Sequence, residues 1–218
     1  MEEKQWERYA ALVGGIAFVI LIVAVIILSG SPPKLDDDAQ KFASYFKDHA
    51  DDLKVAGYLG GLAFVPILCW LGALWRNLRR AEGGDPRLTV AAAGGLLIGG
   101  SAVLVSTAMI SAVAVNIKDI GTASKFFMIF AQFMFASSSF GFAVLVGAVA
   151  VITLRSGVFP KWFGWGSTLL ALAWLVAGVG SVSTSDTWTT VTMVVATVWL
   201  AWILVISVLM YQGAEAKA

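Results

Sequence analysis

Reactive groups are scarce in this sequence. Among 218 residues there is one cysteine, Cys69, and one histidine, His49, and only 13% of positions are charged. A lone cysteine excludes an intrachain disulfide and a cysteine-based metal cluster. Soluble domains carry about a quarter charged residues, so the ordinary water-facing surface is missing. Basic and acidic residues nearly balance, 15 against 14, and no basic tract with interleaved aromatics occurs. Nucleic acid is therefore not an expected partner.

What the chain has instead is apolar length. Hydrophobic residues make up 59% of it and the mean hydropathy is +0.83. Runs of roughly twenty apolar residues are the length a bilayer crossing needs. Six qualify, at about 10–29, 55–75, 88–115, 122–154, 162–182 and 188–211. Their apolar character is continuous rather than alternating, which predicts helices and not barrel strands. The expected fold is an all-α, polytopic transmembrane bundle of six spans in one membrane domain over 1–218. The first run is longer than a signal-peptide core and reads as an uncleaved span.

Arginine and lysine set the expected orientation. With the N-terminus inside, Lys4, Arg8, Arg76, Arg79, Arg80, Arg87, Arg155, Lys161 and Lys217 fall on the cytosolic side. The other side holds lysines alone, at 34, 41, 47, 54, 118 and 125. Both termini are thus expected in the cytosol of a cell-membrane protein, with residues 30–54 outside. Trp6, Trp70, Trp75, Trp162, Trp165 and Trp188 lie near span ends and read as an aromatic belt.

The connector "SPPKLDDDAQKFASYFKDHADDLKVAGY" carries Asp36, Asp37, Asp38, Asp48, Asp51 and Asp52 together with His49. Ser31, Pro32 and Pro33 stop the first helix, and Asp36 is a candidate cap for a new one. Ala39, Phe42, Phe46, His49 and Leu53 then recur at three and four. This predicts an amphipathic external helix over about 36–52. Asp48, His49 and Asp52 share an edge and form the one candidate metal set. Against that reading, His49 belongs to the apolar stripe, and zinc usually takes more nitrogen or sulfur ligands.

Within the spans there is no acid, no nucleophile beside a base and no metal cluster, so neither a hydrolase nor a proton relay is indicated. No cofactor is called for. Neutral polarity remains: Ser106, Thr107, Gln132, Ser137, Ser138 and Ser139. These groups either bond helix carbonyls or line a cavity. Phe130, Phe133 and Met134, in an adaptable aromatic row, are candidates for an apolar-ligand pocket. Arg76, Arg79, Arg80 and Arg87 are candidates for an anionic lipid headgroup. Pro66 should kink the second span. Ala91, Gly95 and Gly99, with Ser139, Ala143 and Gly147, predict a tight antiparallel pair of spans three and four.

The stretch "VLVGAVAVITLRSGVFPKWFGWGSTLLALAWLVAGVG" resembles the corresponding part of a bacterial family of six-span membrane proteins known only as a domain of unknown function. Ser156, Gly157 and Pro160 match its "SG-x-x-P" turn. The resemblance implies a six-helix fold and no activity. The residues themselves favour a lipid-binding, scaffold or accessory membrane protein, with membrane lipids, another membrane protein or a second copy as partners. A passive channel lined by Ser, Thr and Gln is the alternative. A lipid-modifying enzyme using the external acids and His49 is a third.

Overall fold

The computed structural model describes residues 2–183 and 185–215, with their side chains over 9–212. The placements expected for Lys4, Trp6, Arg8 and Lys217 lie outside the described side chains. The chain forms an all-α bundle, with no strand among the described residues. Its helices are α1 (Glu2–Ser29), α2 (Ala39–Asp48), α3 (Ala50–Leu62), α4 (Phe64–Glu82), α5 (Arg87–Val115), α6 (Ile117–Ile120), α7 (Ser124–Ser156), α8 (Lys161–Ala177) and α9 (Asp186–Glu215). Six stretches among the described residues are long and apolar enough to cross a membrane. They begin at Tyr9, Ala50, Arg87, Ile117, Lys161 and Asp186, as the six apolar runs predict. This is a multi-pass integral membrane protein.

The helix breaks follow local chemistry. Pro66 lacks an N–H and its ring crowds the carbonyl four residues back. The second crossing accordingly breaks at Ala63, between α3 and α4, and the next bond, Ile67 N–H to Ala63 O, is stretched to 3.4 Å. Gly157 ends α7 in the left-handed region (φ 69°, ψ 21°), its N–H donating to Thr153 O at 2.9 Å. Pro160 then starts α8 afresh. At the neighbouring turn, the Glu82 carboxylate accepts the Leu88 and Thr89 N–H groups (2.7 and 2.9 Å) and the Thr89 hydroxyl (2.6 Å). Those are the orphan donors of the α5 N-terminus.

The connector forms two helices rather than one. α2 ends at Asp48, His49 takes a non-helical conformation (φ −110°, ψ 18°), and α3 runs on from Ala50 into the second crossing. Asp38, not Asp36, stands at the N-cap position. The aromatic stripe is buried as its spacing predicts. Phe42, Tyr45, Phe46 and Leu53 pack with Val113, Ala114 and Met128 in a small core of their own. This core joins α2 and the start of α3 to the C-terminal end of α5 and the N-terminal end of α7. At 1.5 Å per residue, the 33 residues of α7 reach about 50 Å, beyond a hydrocarbon layer of about 30 Å. The surplus length is what α2 covers.

The main core is built on tryptophan. Trp70 is fully buried and its indole N–H donates to Ser207 Oγ at 2.8 Å, linking α4 to α9. Trp202 donates to Ser167 Oγ at 2.8 Å, linking α9 to α8. Trp199 stacks on Phe142 at 4.5 Å, and Trp174 lies 5.2 Å from the same ring. Trp70 therefore departs from the belt reading: its apolar body and polar N–H are both satisfied inside the bundle. Trp75, Trp162 and Trp165 are exposed near the arginine-bearing end, where a belt would place them.

Candidate functional site

α5 and α7 run antiparallel and meet through glycine. A Cβ on Gly95 would stand 2.5 Å from Gly141 O, and one on Gly141 would stand 2.5 Å from Gly99 N. The backbones touch, and any side chain there would separate them. Helices in lipid gain no hydrophobic term from pairing, so close packing is what holds them. On α5 the contact row is the expected Gly95 and Gly99. On α7 it runs through Ser138, Gly141 and Leu145 instead of Ser139, Ala143 and Gly147. Gly147 faces Ala171 of α8, at 3.7 Å from where its Cβ would be.

Close approach at one line leaves space beside it. An apolar groove of about 360 Å³ opens on the outer face of the crossing, lined by Ala91, Gly94, Gly95 and Ile98 of α5 and Phe140, Gly141 and Val144 of α7. Ile98, Phe140 and Val144 form its exposed shoulders. A Cβ on Gly94 would meet nothing within 4 Å, so Gly94 is open floor rather than contact. Walls without polar side chains, facing the direction of the hydrocarbon, suit an acyl chain. The Ala91–Gly95–Gly99 row marks the helix contact in the sequence. The groove was not readable there, because it depends on which side of that contact the helices splay.

The candidates read from the sequence are distributed. Gln132 and Phe133 line a crevice with Leu35, Ala136, Gly180, Ser183, Thr189 and Thr192, beneath the α1–α2 connector. Its volume, about 10 Å³, is that of one water. Thr107 and Ser138 hydroxyls donate to their own helix carbonyls, Val103 O at 2.9 Å and Phe135 O at 2.6 Å. Ser106 and Ser139 are buried, and Ser139 Oγ has no hydrogen-bond partner among the described residues. Ser137 and Met134 are half-buried, while Phe130 is exposed. The aromatic row thus points several ways: Met128 into the cap core, Phe133 into the crevice, Phe126 and Phe130 outward. It does not line one pocket.

At the arginine end, Arg79 donates to Gly84 O at 2.8 Å and Arg87 lies 3.5 Å from Asp85. Arg80 is exposed and Arg76 half-buried. Asp48, His49 and Asp52 are not brought together: no group of three potential metal ligands converges among the described residues. His49 instead stacks on Tyr45 at 4.9 Å between ring centroids, with Nδ1 3.1 Å from Tyr45 O.

The cap is fastened by residues that carried no signal in the sequence. Tyr45 Oη donates to Ser29 O at 2.6 Å, closing α2 onto the end of α1. Lys125 Nζ donates to Asp37 O at 2.6 Å and lies over the Phe42 ring at 5.7 Å. Burial pushes the Tyr45 phenol up to about 12. The Asp37 carboxyl is held below its ordinary value, chiefly by the Lys41 hydrogen bond. No family model matches the chain, and no curated protein or solved structure matches it.

Proposed function

We propose that this integral membrane protein is a non-catalytic binder of an apolar chain, seated in the groove beside the α5–α7 crossing. The groove itself carries the reading. Its occupant in a bilayer is a lipid acyl chain, because a dry void beside hydrocarbon forfeits the contacts a chain would make. The neutral interior agrees with this role, since two of the hydroxyls singled out as cavity lining, those of Thr107 and Ser138, are spent on helix carbonyls. The arginine bias supports termini in the cytosol and the α2 cap outside.

Native mass spectrometry of the detergent-purified protein tests the proposal. The wild type retains a lipid adduct under activation that strips annular lipid. Gly94→Leu fills the groove from its open floor, where an added Cβ meets nothing within 4 Å, and abolishes that adduct without lowering the melting temperature. An adduct that survives Gly94→Leu undiminished would refute the assignment.

A further inference from the structure

From the register of α5 and α7, we infer that the groove is the acyl half of an anionic phospholipid site and that Arg87 and Arg155 hold the phosphate. This rests on the groove reading and names the headgroup class for it. On α5, Arg87, Ala91, Gly94 and Ile98 follow one another at four, three and four residues. On α7, read backwards, Arg155, Val151, Ala148 and Val144 do the same. Such spacing keeps each row on one helix face. Ala91, Gly94, Ile98 and Val144 are groove walls, so both rows lead from the groove to an arginine. The helices are antiparallel and pack along their length, which puts the start of α5 and the end of α7 at the same membrane face.

The axial distances fit a phospholipid. At 1.5 Å per residue, Arg87 lies about 10 Å from Gly94 and about 16 Å from Ile98, and Arg155 about 16 Å from Val144 and about 22 Å from Phe140. A headgroup layer is roughly 6 Å thick on each side of the hydrocarbon. A phosphate at the arginines therefore places the upper and middle part of its chain along the groove floor. Guanidinium groups match phosphate oxygens in pairs. Both arginines are exposed. The Arg87 contact with Asp85 is 3.5 Å, between side chains 86% and 81% exposed, a solvent-screened pair that a phosphate readily replaces. Local fastening keeps Arg87 in place, since Glu82 caps the two residues that follow it.

Titration of the delipidated full-length protein with phosphatidylglycerol and phosphatidylcholine of identical acyl chains, followed by native mass spectrometry, provides the test. Phosphatidylglycerol binds more tightly. Arg87→Gln and Arg155→Gln each weaken it roughly fivefold, the effect of one basic residue near an anionic surface, and weaken phosphatidylcholine less, because its quaternary ammonium already offsets the phosphate charge. Arg80→Gln removes the same charge from α4, which contributes nothing to the groove wall, and leaves the preference intact. Gly94→Leu weakens both lipids equally. Should Arg80→Gln cost as much as Arg87→Gln, or should the two lipids bind alike, the assignment of an anionic headgroup to Arg87 and Arg155 is wrong while the groove stands. Should Gly94→Leu change neither lipid, the groove reading itself is wrong.

Discussion

Near the cap, α5 and α7 join α2 through a small core of interlocking side chains. Midway along, the same two helices touch backbone to backbone at Gly95, Gly99 and Gly141. The difference follows the solvent. The cap core is secured at its rim by polar fastenings, Tyr45 to Ser29 O and Lys125 to Asp37 O. At the crossing only shape is available, so the smallest residues bring the backbones together and a groove is left beside them.

Substitution at the contact glycines should show the largest effect. Gly141→Leu drives a side chain into the Gly95 and Gly99 backbone, where nothing flexible yields. Overpacking of this kind costs about 3 kcal/mol or more, expected as a melting temperature in detergent too low to measure or a failure to express. Gly94→Ala, beside the contact residue Gly95 but in open space, leaves the melting temperature unchanged. A similar loss at both positions would mean that the backbone contact at Gly141 is not what decides, since helix propensity favours both replacements over glycine.

Ser207→Ala comes next. It leaves the buried Trp70 N–H without its acceptor, a penalty of about 1–3 kcal/mol, readable in the same melt. Trp202 keeps its bond to Ser167, so the loss should be confined to the α4–α9 contact.

Effects at the cap are smaller and depend on pH. Tyr45→Phe removes one hydrogen bond, about 1 kcal/mol, and hydrogen exchange should quicken across 39–48 while the spans stay protected. The phenol is an acid with a raised value, so the folded cap holds its proton more tightly than the unfolded chain. Its contribution is complete below pH 10 and disappears as pH climbs towards about 12. Asp37 behaves oppositely. Its lowered value means the contribution is present above the ordinary carboxylate range and is lost as pH falls through the lowered value. Paired at the surface with an exposed Lys41, it should produce the smallest change, and one that salt erases. If Asp37→Asn loosened 39–48 more than Tyr45→Phe did, surface charge and not the buried bond would hold the cap.

Elements with local signals were legible in the sequence. The crossings follow from apolar runs, the α7–α8 turn from Gly157 and Pro160, and the buried face of α2 from the spacing of Phe42 and Phe46. Pro66 foretold a break, and the clash of its ring with the preceding turn sets that break at Ala63. Features that depend on how two helices meet were not legible. Trp70 sits near a span end by number, yet Ser207, far along the chain, turns it inward. His49 shares an edge with two acids in an unbroken helix, but the break at that very residue separates the edge into two elements. The groove is the extreme case, since its floor residue, Gly94, matters for what it does not touch.

Photocrosslinking tests the groove most directly. The purified protein is reconstituted with a phospholipid carrying a diazirine in mid-chain, irradiated, and mapped by peptide mass spectrometry. Ile98 and Leu169 are equally exposed at 70%, as are Phe140 and Leu175 at 50%, but only Ile98 and Phe140 line the groove. Adducts should concentrate on Ile98, Phe140 and Val144, several-fold above Leu169 and Leu175 on α8. Equal labelling of the two sets would show that lipid merely flows past the crossing, and a seated chain would have to be abandoned.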